Sequence, residues 1–402
     1  MTSLVRLLAK KRVIVTLGSG GVGKTTLAAA LALQAAWRGR RTLVLTIDPA
    51  RRLADALGLA ALTTERQAVP LAGLAGPAAP GSSAGAGELW AMMLDAPRTF
   101  DALVSRHSSS EQARERIVGH RLYRTMVDAL AGSHDLAAME QLHQLTSEGL
   151  YDLVVLDTPP KEHAFDFLDA PSRLLGLVSQ SRLRWLLLAM AGEGGEGSGL
   201  GTLLSLPPKL ILPTLARFTG QETLRDLATL TLALLDLGTG FAERAARVEE
   251  LLRGPDCSFL VVTRPDPLTV EEALGQRRKL ADLRLPFGGY LVNRCQRVDP
   301  AAPPPGTDYG RLAYELAASS VAPLLPPAGR LVPLLERLGE GLALVRELAA
   351  HQAQTLAPLA TDGPDPPLRL EIPEFDEEIH SLEQLRRFGG LFLGEQVEGP
   401  GG

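Results

Sequence analysis

The sequence predicts an α/β protein in which a mostly parallel sheet is flanked by helices, with helical insertions forming a further layer. Two patterns lead to this prediction. Short runs of β-branched and apolar residues alternate with long stretches rich in alanine and leucine, which is typical of a parallel sheet covered on both faces. The first of these runs leads directly into a glycine-rich loop, as in nucleotide-binding α/β proteins.

Five segments are candidates for buried strands, and each ends near a polar or glycine-rich turn. They are residues 12–17 (RVIVTL), 42–47 (TLVLTI), 151–157 (YDLVVLD), 258–263 (SFLVVT) and 288–293 (GGYLVN). Ligands of open α/β sheets bind beyond the carboxyl ends of the strands. We therefore expect one ligand site where the strands end, at Gly18, Asp48, Asp157, Arg264 and Asn293.

The segments between these strands suggest one main domain over residues 1–345. Its helical insertions are predicted at about 98–148 and 172–252, and the second is rich in leucine; it could be an ordinary core face or a groove for a client. The Gly/Pro/Ala-rich residues 66–88 predict a mobile loop. Residues 346–375 predict a helix end and a Pro-rich linker, and 376–402 a short final helix and tail.

Composition argues against several classes of function. A net charge of −5 gives no sign of a nucleic-acid surface, and the longest apolar stretches are shorter than the ~20 residues that span a bilayer. The apolar run at the start is too short for a signal peptide, so we expect a cytoplasmic protein. Cys257 and Cys295 are far apart, which argues for buried thiols rather than a disulfide or zinc site. Glu140 and His143 form one ExxH pair where a di-metal bundle needs two.

The glycine-rich loop matches the phosphate-binding pattern GxxxxGK[ST] between a strand and a long helical pattern. Its backbone N–H groups can surround a phosphate, its lysine can reach the β- and γ-phosphates, and the threonine hydroxyl can bind Mg²⁺. The sequence therefore predicts binding of ATP with Mg²⁺. The predicted nucleotide contacts are Gly18, Ser19, Gly20, Gly21, Val22, Gly23, Lys24, Thr25 and Thr26.

Two further strand ends carry carboxylates, and together with Lys24 they favour hydrolysis over binding alone. Asp48, in the segment TIDPARRLAD, could orient and deprotonate the attacking water. An Asp before Pro-Ala is also a good helix N-cap, so a structural role stays open. Asp157 ends an apolar strand, which is the arrangement expected of a residue in the Mg²⁺ shell.

In combination these segments resemble the ArsA family of P-loop ATPases, which includes arsenite-pump ATPases and ATPases that target tail-anchored membrane proteins. The resemblance covers about residues 12–345: GSGGVGKT is similar to the family's GKGGVGKT, DPARRLADA to DPAHxLxDA, and DTPPKEHAFDFLDAP to DTAPTGHTLRFLxxP. It implies that Asp48 activates water, that Asp157 holds the Mg²⁺ shell and that His163 lies in the second switch. It also implies nucleotide-base contacts from Asn293 and from Pro326 in a PLLP loop.

The resemblance further implies a homodimer that opens and closes around a client, which could be a membrane protein or another hydrophobic protein. The chain departs from the family at Ser19, where a second lysine would reach the partner's nucleotide, and at Arg51 and Arg52, where the family has His and Asn. Cysteines for arsenite or a bridging zinc are absent from these motifs. We hypothesise that one arginine replaces the lysine. The alternatives are an ATP-sensing module with little turnover, or a partition or septum-placing ATPase.

Overall fold

The computed structural model describes most of the chain outside one long central segment. The described residues are 4–47, 52–71, 87–107, 111–119, 123, 134–159, 240–241, 243–299, 301–362, 367–375 and 377–393. Predictions for Asp48, Arg51 and His163, and for most of 172–252, therefore concern positions outside the described residues.

A single eight-stranded sheet organises this part of the chain, and its order is β3-β4-β2-β5-β1-β6-β7-β8. All neighbouring strands are parallel except the short antiparallel pair β3 and β4. The predicted α/β class with a mostly parallel sheet is confirmed. The strands are β1 (Val13–Gly18), β2 (Arg41–Thr46), β3 (Gln67–Val69), β4 (Glu88–Met93), β5 (Leu153–Asp157), β6 (Cys257–Thr263), β7 (Phe287–Cys295) and β8 (Arg369–Pro373).

Helices cover both faces of the sheet. They are α1 (Leu4–Lys10), α2 (Lys24–Trp37), α3 (Arg52–Ala56), α4 (Ala96–His107), α5 (Glu111–Val118), α6 (His134–Ser147), α7 (243–253), α8 (Pro267–Asp282), α9 (Tyr309–Ala317), α10 (Ala328–Ala360) and α11 (Leu382–Leu393), with a 3-10 turn at Ala322–Leu324. None of these helices, within the described stretches, has the length and hydrophobicity needed to cross a bilayer.

The central strand β1 is buried on both faces, which explains its continuous apolar sequence. Val13, Val15 and Leu17 pack with α6, α7 and α8 on one face. Ile14 packs with α2 on the other, and eleven residues of α2 are buried. Because β1 lies between β5 and β6, the loop that follows it opens at the middle of the sheet edge.

The five predicted strands are confirmed, but the sequence analysis missed β3, β4 and β8. Residues 66–88, expected to form a mobile loop, begin with β3 and end where β4 starts, and residues 72–86 lie outside the described part. Residues 346–375, expected to end a helix and form a linker, instead carry the second half of α10 and then β8. A strand of five residues flanked by prolines gives little periodic signal, and its pairing with β7 decides the outcome.

The final helix α11 packs on α2, the helix that follows the glycine-rich loop. Leu385 and Phe388 are buried there. The guanidinium of Arg386 lies 5.3 Å from the ring centroid of Trp37. This helix is therefore part of the body of the protein, as β8 is part of its sheet.

The predicted helical layer at 98–148 contains α4, α5 and α6. α7 belongs to the end of the second predicted insertion, and the Nε of Arg244 in α7 lies 2.8 Å from Glu140 Oε2 in α6, with both side chains largely buried. Glu140 of the ExxH pair thus takes part in an ion pair between helices. Pairing a buried carboxylate with a guanidinium offsets the cost of removing both charges from water.

Both cysteines are free and buried within the sheet, as the sequence suggested. Burial raises the pKa of the Cys295 thiol to about 12 and also raises the pKa of Cys257. Both thiols therefore stay protonated at neutral pH, which is typical of structural rather than reactive cysteines.

Candidate nucleotide site at the central strand ends

The glycine-rich loop connects the end of β1 to the start of α2, and close contacts with neighbouring strands require glycine at two of its positions, Gly18 and Gly23. Gly18 has φ +152°, and a Cβ there would lie 2.4 Å from the backbone oxygen of Val262. Gly23 has φ +97°, and a Cβ there would lie 2.3 Å from Asn293 Nδ2. The Gly23 carbonyl then accepts the backbone N–H of Leu27 at 3.0 Å, which begins the hydrogen bonding of α2. Larger residues would displace the loop from its neighbours.

Lys24 is largely buried and folds back over the loop. Its Nζ donates a hydrogen bond to the backbone oxygen of Ser19 at 2.8 Å. The Ser19 hydroxyl in turn donates to a carboxylate oxygen of Glu272 in α8. The two sides of the loop are thus held together by the lysine, and its outer side contacts α8.

A carboxylate and two hydroxyls lie together beside this loop. The Asp157 Oδ2 atom accepts hydrogen bonds from Thr25 Oγ1 at 2.8 Å and from Thr46 Oγ1 at 3.0 Å. The strand register explains this contact, since Thr16, Asp157 and Thr46 stand side by side on β1, β5 and β2. Asp157 is fully buried. Hydroxyl and carboxylate oxygens are the hard donors that Mg²⁺ prefers, so the residues present fit this ion.

Asn293 lies on the opposite side of the loop, near the end of β7, and is also buried. Its Nδ2 donates to the backbone oxygen of Val22 at 2.9 Å, and its Oδ1 accepts the backbone N–H of Arg294 at 3.0 Å. Pro326 lies between the 3-10 turn and α10 and is half-buried. Sequence reasoning placed Asn293 at the site but gave no sign of its contact with the loop.

The predicted catalytic Asp48 lies outside the described residues, but the residue before it is described. The backbone N–H of Ile47 donates to the backbone oxygen of Asp157 at 3.0 Å. The chain therefore leaves β2 directly beside the end of β5. The neighbouring Arg52 begins α3 and is exposed.

Comparison with known proteins supports the resemblance found in the motifs. The profile of the family described as anion-transporting ATPase, or ArsA ATPase, matches residues 11–183, which include the loop, Asp48 and Asp157. Over these residues the chain is similar to the ArsA family of ATPases.

Individual relatives of this chain are distant in sequence. The uncharacterized protein SCO2128 of Streptomyces coelicolor is 29% identical over 359 residues, covering 83% of this chain and 82% of that protein. The ATPase GET3 of Malassezia globosa is 31% identical over 160 residues, covering 39% of this chain and 41% of its own. A putative arsenical pump-driving ATPase of Prosthecochloris vibrioformis is 29% identical over 166 residues, covering 40% of this chain and 36% of that protein. The last two alignments thus span less than half of each relative.

Two residues at this candidate site escaped sequence reasoning. Thr46 lies two residues before Asp48, and nothing in the sequence marks its hydroxyl as part of the site. The pairing of β2 with β5 reveals it, because that pairing places the hydroxyl against Asp157. Glu272 is separated from the loop by more than 250 positions and has no motif spacing, so only the packing of α8 against the loop reveals it. It places a carboxylate next to Ser19, where the ArsA family resemblance implies a lysine.

Proposed function

We propose that the chain binds ATP with Mg²⁺ and hydrolyses its β–γ phosphoanhydride bond, acting as a homodimer whose nucleotide state controls a client. The observation that carries the hydrolase assignment is the cluster of Lys24, Thr25 and Asp157 at the central strand ends. Phosphoryl transfer from a nucleotide uses a lysine in the phosphate loop, together with a threonine hydroxyl and a carboxylate near the Mg²⁺. Here the threonine hydroxyl is hydrogen-bonded to the carboxylate.

Each group has a defined role in this proposal. The backbone N–H groups of residues 18–26 and the N-terminus of α2 hold the phosphates, since both present partial positive charge to an anion. Lys24 exchanges its contact with the Ser19 carbonyl for the β- and γ-phosphate oxygens. Thr25 and Asp157 would hold Mg²⁺, whose charge stabilises the leaving diphosphate.

Asp48 is the proposed general base for the attacking water. The bond from Ile47 to Asp157 supports this role, because it brings the chain that carries Asp48 to the Mg²⁺ side of the site. Asn293 and Pro326 are the proposed contacts of the adenine base. The client is proposed to be a membrane protein or another hydrophobic protein, an idea that rests on the motif resemblance and on the arsenical-pump relative's printed name.

The proposal is tested by steady-state release of inorganic phosphate from purified full-length protein. We expect MgATP to be hydrolysed catalytically, with the rate falling to background when Mg²⁺ is removed with EDTA. Tight binding of MgATP with release of less than one phosphate per chain would instead favour an ATP-sensing module. The docking of α11 on α2 argues against the partition-type alternative, in which a terminal helix binds membranes.

The homodimer and the role of the switch arginines are tested together. We expect Arg51→Ala or Arg52→Ala to reduce turnover on the order of 10³-fold, as loss of an arginine finger does, and the wild-type rate per chain to rise with protein concentration. Arg106→Ala, which removes an exposed arginine of α4, is the matched control. If both switch variants hydrolyse ATP at the wild-type rate while Ser19→Lys accelerates hydrolysis several-fold, the two arginines have no catalytic role. The serine at position 19 then accounts for slow hydrolysis.

A further inference from the structure

Strand β7 carries one extra residue where it leaves the sheet. Val292 pairs with Glu371 of β8 and Cys295 with Pro373, so β7 advances three residues while β8 advances two. Arg294 within this bulge has φ 60°, a left-handed conformation that residues other than glycine seldom adopt. Bulges change the direction of side chains and occur often beside active sites. Asn293 lies within this bulge, next to Arg294.

The carboxamide of Asn293 is fixed at both of its ends. Its oxygen accepts the backbone N–H of Arg294 at 3.0 Å, and Arg294 itself has the left-handed backbone of the bulge. Its nitrogen donates to the carbonyl of Val22 inside the phosphate loop. These two hydrogen bonds fix the orientation of the Asn293 side-chain amide. The flipped orientation would place its oxygen against the carbonyl oxygen of Val22.

The bond to Val22 sets the direction of a peptide plane in the loop. In a planar trans peptide the C=O and the following N–H point in opposite directions. Holding the Val22 carbonyl toward Asn293 therefore directs the Gly23 N–H away from it, as required if the loop's N–H groups are to converge on an anion. The 2.3 Å between a Cβ at Gly23 and Asn293 Nδ2 shows how closely the two elements meet.

The C-terminal strand supports the bulge from the other side. The backbone N–H of Glu374 donates to the carbonyl of Cys295 at 3.1 Å, and Arg297 donates to the carbonyl of Glu371. β8 thus contacts β7 on both sides of Arg294. The position of Asn293 depends on a segment more than 70 residues later in the chain.

We propose that Asn293 is a positioning residue for the phosphate loop, held by the Arg294 bulge, in addition to any contact with the base. The inference rests on the proposed nucleotide binding and adds a support for the triphosphate rather than for adenine. A ligand with phosphates and no base distinguishes the two roles. Inorganic tripolyphosphate is such a ligand.

The test measures the affinities of wild-type protein and variants for MgATP and for magnesium tripolyphosphate by calorimetry. We expect Asn293→Asp, which keeps the shape but places an acceptor against the Val22 carbonyl, to weaken binding of both ligands about tenfold. Arg294→Gly keeps the N–H in the same conformation without a Cβ, so both affinities should stay within twofold of the wild type. Asn293→Ala replaces the Asp variant if the latter does not fold.

Gln352→Ala is the matched control. The Oε1 of Gln352 accepts the backbone N–H of Gln296 at 2.8 Å, so the variant removes an amide contact from the same strand exit without touching the loop. We expect it to bind both ligands like the wild type.

Two results for Asn293→Asp would overturn the inference. Weakened binding of ATP with unchanged binding of tripolyphosphate would show a role in base recognition alone. Unchanged affinity for both ligands would show no role in binding. A folded wild type that binds neither ligand would overturn the proposed function itself.

Discussion

Lys24→Ala abolishes measurable binding of MgATP. Lys24 is only 7% exposed and its Nζ contacts the Ser19 carbonyl within the loop, so an incoming phosphate can replace that carbonyl as its partner without a rearrangement of the backbone. Hydrogen bonds to charged groups contribute about 1.5–3 kcal/mol each, and two such bonds to the β- and γ-phosphates correspond to a loss of at least about 100-fold in affinity. The measurement is a titration of a fluorescent ATP analogue.

Lys10→Ala provides the control for this experiment. Lys10 is an exposed residue at the end of α1, and its removal changes the net charge by the same amount. We expect the Lys10 variant to bind the analogue like the wild type, and both variants to unfold at a similar temperature. Unchanged affinity in the Lys24 variant would mean that the nucleotide does not bind at this loop.

The central part of the sheet was predictable because its signals are local. The strands that carry Gly18, Asp157 and Asn293 are buried on both faces, and burial on both faces leaves a continuous apolar run in the sequence. The edge strands β3 and β8 have three and five residues, too few for a periodic pattern to stand out from their Gly- and Pro-rich surroundings. Their existence depends on neighbours brought in by the rest of the fold.

The site shows the same division between local and distant information. Lys24 and Thr25 follow from the spacing of one loop, and Asp157 follows from a carboxylate at the end of an apolar strand. The contact of Glu272 with Ser19 and that of Asn293 with Val22 each join residues more than 250 positions apart. They result from how α8 and the β7 bulge pack against the loop, and no local pattern encodes that packing.

Asp48→Asn is expected to retain affinity for MgATP and to lose turnover by about 10²- to 10⁴-fold. An amide can still hydrogen-bond the attacking water, but it cannot take the proton that the water must lose, and general-base catalysis contributes roughly this factor. Affinity should be unchanged or slightly higher, since the substitution removes a negative charge near the γ-phosphate. Phosphate release and titration with the fluorescent analogue measure the two quantities separately.

The competing role for Asp48, that of a helix N-cap, has a different signature. Loss of an N-cap lowers the free energy of unfolding by about 1 kcal/mol and leaves the chemistry of hydrolysis intact. Asp55→Asn, at an exposed acid in α3, controls for the loss of one negative charge from the same segment. If the Asp48→Asn variant hydrolyses ATP at the wild-type rate but unfolds at a lower temperature, Asp48 is a helix cap. Another residue must then be the general base for the attacking water. Lost turnover with unchanged stability would place the proton acceptor at Asp48, because a cap contributes to folding and not to the transfer of a proton.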